Sequence, residues 1–187
     1  MMEFFPLTPD RWSDFERLFG PRGACAGCWC MFWKLPRRDF DAGKYEGNHL
    51  AQKAIVVAGG TPGLLAYVDG NPAGWCAVES REHYPGLARS RILAPIDTSP
   101  VWSVTCFYID KSFRRRGLTP KLLRAVVDFV SSRGGKIVEG YPTEPHPGTK
   151  FVPAFVYTGL AHAFREAGFE EVGRRSETRP IMRFYIR

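Results

Sequence analysis

Hydrophobic positions along this chain switch between the two-residue period of strands and the three-to-four-residue period of helices, and the switches lay out a mixed α/β order. Phe4 and Phe5 predict a short first strand. A helix follows, with Thr8 as N-cap, Pro9 at the first helical position and Asp10 in the first turn. Trp12, Phe15, Leu18 and Phe19 share one face of it, and Gly20-Pro21 ends it. Residues 36–43 read as loop. Leu50, Ala54, Ile55 and Ala58 predict the apolar stripe of a second helix, closed by Gly59-Gly60. Residues 64–68 and 75–78 read as strands, and Asp69-Gly70-Asn71-Pro72 between them predicts an antiparallel hairpin. Residues 80–99, rich in Arg, Pro and Ser, read as a long loop of the kind that often carries function.

The segment VWSVTCFYI, residues 101–109, is the strongest strand signal, being nearly all β-branched or aromatic. A basic turn, residues 111–116, leads to a helix opened by Thr119-Pro120. Leu122, Leu123, Val126, Val127 and Val130 form its stripe, and Gly134-Gly135 ends it. Ile137 and Val138 start another strand, residues 141–153 form a Pro-rich loop, and a short helix over 158–167 is capped by Gly168. Residues 169–172 and 181–186 are closing strands. A strand–turn–helix–strand unit thus stands at the centre of the chain.

Length and composition fit one domain over 1–187: 187 residues, 44% hydrophobic and 24% charged, enough to bury a core without disulfide staples. No apolar run approaches the ~18–20 residues of a membrane span. The first residues lack the basic and apolar regions of a signal peptide, so a cytoplasmic protein is expected. Five cysteines, an odd number, fit a reducing compartment in which thiols stay free. The net charge of +7 favours a phosphate-bearing partner, and its densest knot is Arg114-Arg115-Arg116, inside the chain beside Gly117.

That knot lies between the best strand and the best helix. A helix N-terminus offers unpaired backbone N–H groups and the positive end of a dipole, which together bind phosphate. The spacing is neither GxGxxG nor GxxxxGK[ST]. Arg114-x-x-Gly117-x-Thr119 resembles instead the acetyl-coenzyme-A signature of the GNAT N-acetyltransferase family, Arg/Gln-x-x-Gly-x-Gly/Ala, with Thr in the sixth position and Pro120 lacking an N–H. The segment from Ala163 to Val172, with Gly168-Phe169 at its centre, resembles the later helix–Gly-Phe–strand signature of the same family. The resemblance covers most of the chain and is weakest over residues 20–45. It implies an α+β GNAT fold, a central mixed, mostly antiparallel sheet of six to seven strands flanked by helices. It also implies an acetyl-CoA-binding core over about 100–175, in which Phe107, Tyr108, Ile109, Arg114, Arg115, Arg116, Gly117, Leu118 and Thr119 hold acetyl-CoA as co-substrate.

The implied reaction is transfer of acetyl from the thioester directly to an amine, a small molecule rather than a protein. It needs a proton acceptor for the amine, a donor for the thioester oxygen and an acid for the leaving thiolate. A free main-chain N–H around Phe107 or Ile109 is expected to be that donor. Phe164 occupies the position where many members carry a Tyr acid, so Tyr157 becomes the candidate acid, with Tyr141 a further one. Ser103 and Thr105 stand where some members carry a basic Glu. Glu139 on the neighbouring strand is then the acidic candidate, with an ion pair or an exposed strand position as its other reading. Cys106 reads as a core thiol.

Cys25-x-x-Cys28-x-Cys30 has three thiols where structural zinc wants four ligands, so no metal is expected and packing beside Trp29, Met31, Phe32 and Trp33 is the first reading. His49, His83, His146 and His162 show no metal or nucleophile spacing and read as surface or pocket residues. Two other classes remain open: a nucleic-acid-binding module with a basic surface, which no recognition motif supports, and a metal or redox sensor built on Cys25, Cys28 and Cys30. Neither membrane nor nucleic acid is expected as partner, and a homodimer is left open.

Overall fold

The computed structural model describes residues 1–146, 148 and 156–187. The strands are β1 (Met2–Pro6), β2 (Gly63–Val68), β3 (Asn71–Ser80), β4 (Trp102–Ile109), β5 (Ile137–Gly140), β6 (Glu170–Arg174) and β7 (Pro180–Tyr185). The helices are α1 (Trp12–Phe19), α2 (Arg37–Ala42), α3 (Glu46–Val57), α4 (Pro85–Ala88), α5 (Leu118–Ser132) and α6 (Ala161–Glu166). The strands form one sheet of seven in the order β1-β2-β3-β4-β5-β7-β6. Every neighbouring pair is antiparallel except β4 and β5, whose parallel step requires the crossover that α5 provides. None of the helices is long and apolar enough to cross a membrane.

Alternation along the strands builds a core on each face of the sheet. Leu64, Ala66, Cys76 and Val78 meet the α5 stripe of Leu122, Leu123, Val126, Val127 and Val130, with Phe164 of α6. Leu65, Tyr67, Trp75 and Ala77 meet Trp12, Phe15, Leu18 and Phe19 of α1, with Trp29 and Val56. A bulge in the β3–β4 ladder pairs Ala77 with Cys106 and Val78 with Val104, leaving Thr105 as the extra residue. Val104 and Cys106, two positions apart, therefore pack into opposite cores.

Four local expectations change. Residues 36–43 are not all loop: Arg37–Ala42 is helical, supported by Arg37–Asp41 and Lys44–Asp41 pairs at 2.5 and 2.8 Å and by burial of Phe40. The Pro and Gly that bound it mimic a loop in the sequence. On α3 the inward residues are Asn48, Gln52 and Val56, while Leu50 is 54% exposed. This helix packs on loop backbone, and Asn48 Nδ2 donates to the carbonyls of Gly27 and Phe40, a contact leucine could not make. Thr8 caps by backbone conformation alone, its hydroxyl accepting from Arg11 at 3.0 Å, and the first turn is a 3-10 turn. Residues 80–99 contain a 3-10 turn and α4 and are pinned by arginines: Arg81 Nη2 donates to the Leu93 carbonyl at 2.7 Å, and Arg175 donates to the Ala94 and Pro95 carbonyls. The Pro-rich loop, residues 141–153, lies partly outside the described residues.

Candidate active site

β5 runs beside β4 only at Trp102–Val138, Ser103–Glu139 and Val104–Gly140. The Phe164 ring lies where any Cβ on Gly140 would sit, 2.1 Å from its nearest atom, so the last paired residue must be glycine. Beyond it β4 continues without β5, and residues 156–160 come alongside. The Phe107 N–H, expected to be free, instead donates to the Tyr157 carbonyl at 2.5 Å. Asp110 N–H bonds the Ala73 carbonyl on β3, so alternation turns the Ile109 N–H to the open side, where no acceptor among the described residues takes it. The Ile109 carbonyl, on that same side, accepts from Arg114 Nε at 2.9 Å.

The bend from β4 to α5 starts with a 3-10 turn capped by Asp110, whose carboxylate accepts the Ser112 N–H at 2.9 Å. Arg115 and Gly117 both take left-handed backbone, φ +60° and +68°. A Cβ at Gly117 would meet no atom within 4 Å, so conformation and not crowding favours glycine there. Leu118 anchors the bend in the α5-side core, while Arg114, Arg115, Arg116 and Gly117 are exposed. Among the described residues Lys111, Arg115, Arg116 and Lys121 make no ion pair; Arg116 lies over the Phe113 ring at 5.6 Å. Their charges add to the positive end of a fifteen-residue helix.

Just before the strands separate, a polar row crosses the sheet. Register aligns Glu79 of β3 with Ser103 of β4, Ser103 with Glu139 of β5, and Glu139 with Arg183 of β7. Glu139 is 1% exposed and accepts from Arg81 at 3.1 Å, from the Tyr141 hydroxyl at 2.7 Å and from Arg183 at 2.7 Å. Of its two readings, the ion pair describes its position. Burial and the Glu139 charge push the Tyr141 phenol up, so it stays protonated and also bonds Ser103 at 2.8 Å. Glu79, which sequence reasoning passed over, is 8% exposed; it pairs with the buried Lys34 and with Nδ1 of the exposed His83 at 3.3 Å. Its only signal in the sequence is a charge one position past an apolar strand.

On the α1 side of β4, Tyr157 meets Phe32 edge-on, with ring centroids 6.3 Å apart. Burial, then the neighbouring Cys106, push its phenol up to about 12. Tyr157 lies ahead of α6, not on it. Phe164, at the family's Tyr position, is fully buried in the α5-side core.

The three clustered cysteines do not converge. Cys25 is exposed, Cys28 donates to the Gly23 carbonyl at 3.4 Å, and Cys30 faces Cys106. Burial raises the Cys28 thiol to about 12 and Cys30 well above its ordinary value, which disfavours thiolate ligands. The described residues hold no group of three His, Cys, Asp or Glu side chains able to bind a metal. His49 bonds Glu16 at 2.7 Å in a groove of about 680 Å³ between α1 and α3, whose lining shares no residue with the β4–α5 bend.

The geometry of an open strand end leading to a cationic helix mouth has a counterpart among known proteins. The model of the acetyltransferase (GNAT) family matches residues 29–146. The chain belongs to the GNAT acetyltransferase family. GNAT structures share its fold at low identity. An acetyltransferase from Streptococcus agalactiae is 14% identical with a TM-score of 0.57, covering 100% of this chain and 96% of that one. The PaiA N-acetyltransferase of Thermoplasma acidophilum, solved with coenzyme A, is 12% identical with a TM-score of 0.53, covering 100% and 99%. An aminoglycoside acetyltransferase, also in complex with coenzyme A, is 16% identical with a TM-score of 0.55, covering 99% and 95%. A search of curated proteins found no match.

Proposed function

We propose that this GNAT enzyme transfers an acetyl group from acetyl-coenzyme A directly to an amine, with a small molecule as acceptor. The observation that carries the reading is the exposed bend Arg114–Thr119: left-handed at Gly117, flanked by cations with no carboxylate partner, and opening on the free end of β4. Those residues fit a diphosphate, which the first N–H groups of α5 and Lys111, Arg115, Arg116 and Lys121 would hold. Phe107, Tyr108 and Ile109 would line the extended arm, with the Ile109 N–H as an available donor. Acetyl-coenzyme A supplies an activated acyl group and a thiol leaving group.

In this reading Tyr157 is the acid. Its phenol stays protonated at neutral pH and lies beside Cys106, next to the strand positions the acyl carrier would occupy. Glu139 serves as structural charge, since three donors already converge on it. The amine's proton leaves by Glu79 and His83: Glu79 accepts from His83 Nδ1, which leaves Nε2 of the exposed ring to accept a proton. The aromatic surround of Tyr157, Phe32 and Trp33 supports a small acceptor, because it forms walls and not a flat face.

Coenzyme A at about a hundred times its Kd stabilises a protein by ~2.7 kcal/mol, which raises Tm by roughly 5–10 °C at this size. A melting curve unchanged by millimolar coenzyme A would overturn the proposal. Release of free thiol from acetyl-coenzyme A with a panel of small amines, and with amine-bearing peptides as the other arm, tests the acceptor. Turnover confined to peptides would remove the small-molecule part.

A further inference from the structure

Five thiols are present, and two of them, far apart in sequence, meet. Cys30 Sγ lies 3.2 Å from Cys106 Sγ, across 76 residues of chain. The contact has a direction. Trp75 Nε1 donates to Cys30 Sγ at 3.2 Å, and Cys30 S–H donates to Cys106 Sγ. The row of donors therefore ends on Cys106, which favours negative charge on that sulfur.

The two thiols differ in access. Cys30 is buried in the α1-side core, while Cys106 is half-buried at the edge of that core. Cys106 is the residue after the β4 bulge and the residue before Phe107, so it stands where β4 has already parted from β5. Cys30 is fixed from its own side. It and Trp29 take left-handed backbone, φ +58° and +42°, and the Trp29 ring stacks on Phe19 at 5.6 Å. Both sulfurs are thus held by rigid surroundings, one on a strand and one on a packed loop.

We propose that Cys30 and Cys106 are a modification site: an oxidisable thiol pair that a peroxide converts to an intramolecular disulfide. Cys106 is the reacting sulfur and Cys30 the resolving one. The Cys106 sulfur attacks one peroxide oxygen; the O–O bond breaks, an S–O bond forms, and the other oxygen leaves as water once protonated. Cys106 is oxidised to the sulfenic acid and the peroxide is reduced. The Cys30 sulfur then attacks Cys106; the S–O bond breaks, the S–S bond forms, and the Cys30 proton leaves with the hydroxyl as a second water. The buried thiol needs no thiolate in advance, because its proton goes to the leaving oxygen. Cys25 and Cys28 take no part, and the link ties the 20–35 loop to β4.

The test uses the full-length protein, reduced, freed of reductant and treated under native conditions with equimolar hydrogen peroxide. Catalase stops the reaction, and N-ethylmaleimide is added in denaturant. The expected result is three alkylated cysteines of the five, a mass loss of two hydrogens, and a cross-linked peptide pair carrying Cys30 and Cys106. Dithiothreitol returns the count to five. In Cys30→Ser, Cys106 is instead trapped by dimedone as the sulfenic acid, and in Cys106→Ser peroxide leaves Cys30 alkylatable. A bridge among Cys25, Cys28 and Cys30 with Cys106 still alkylatable would overturn the proposal. So would five free thiols after treatment, or a sulfinic Cys106 beside a free Cys30. The wild-type count stands without either variant, and it is read without any acetyl-transfer assay, so it is independent of the proposed function.

Discussion

Two arginine-rich regions of this molecule look alike in composition and differ in what the arginines hold. Around Glu139, Arg81 and Arg183 are bound to buried or half-buried carboxylates and to the Tyr141 hydroxyl, and Arg183 continues to Asp97 at 2.6 Å. At the β4–α5 bend, Arg115 and Arg116 have no carboxylate partner among the described residues and face solvent. The first set is a structural lock, its charges answered inside the protein. The second is an unanswered field, which only an anion from outside would complete. Arginine counts cannot separate the two roles; the partners do.

The sharpest way to break that contrast is Glu139→Ala. It leaves Arg81 and Arg183 without their shared acceptor, and unfolding by denaturant should show a loss of about 3–5 kcal/mol. Glu139→Gln should keep the acetyl-transfer rate of whatever fraction folds. A Gln variant with wild-type stability and no turnover would instead make Glu139 the base.

Tyr157→Phe comes next. With its phenol protonated up to about 12, the hydroxyl is an acid and not a structural charge, so steady-state kinetics should show kcat lower by roughly 100-fold with little change in Tm. Unchanged kcat would move the acid elsewhere.

The bend should respond in the opposite sense to Glu139. Arg115→Glu with Arg116→Glu should alter stability by no more than ~0.5 kcal/mol, since no protein contact is lost. Coenzyme A affinity by calorimetry should weaken by about tenfold or more, and the gap should narrow as salt rises. Equal affinities would show that these cations serve something else.

The smallest effect is at Glu144, a third kind of cluster, where bonds from Arg165 and Arg174 hold the carboxyl at about 2 against an ordinary 4.5. Because the folded value is the lower one, this group adds stability above pH 4.5 and loses it as pH falls toward 2. Thermal melts of Glu144→Gln against wild type should therefore differ at pH 6 and converge near pH 2. A constant difference at all pH values would mean the side chain acts by packing.

The secondary elements were largely legible because each has a period and a stop signal. The α5 stripe, the Asp69-Gly70 turn and the β4 segment are examples. The misreadings share one cause. On α3, Leu50 looks inward by hydropathy, yet Asn48 and Gln52 are the buried residues because the helix rests on loop backbone. Hydrophobic periodicity assumes an apolar neighbour, and here the neighbour is polar. The loop over 20–35 gave no period at all, since its compact path depends on left-handed residues such as Trp29 and Cys30.

By itself the sequence determined the mixed α/β order, the glycine-centred basic bend and its place before a helix, because these depend on residues adjacent in the chain. Only the tertiary structure decided that Phe107 N–H is taken while Ile109 N–H is open, that Glu79 and Glu139 flank Ser103, and that Cys30 meets Cys106. Each of those depends on strand register, a bulge or a loop folding back across dozens of residues. Such long-range pairings are fixed by the packing of the whole sheet, and no local pattern encodes them.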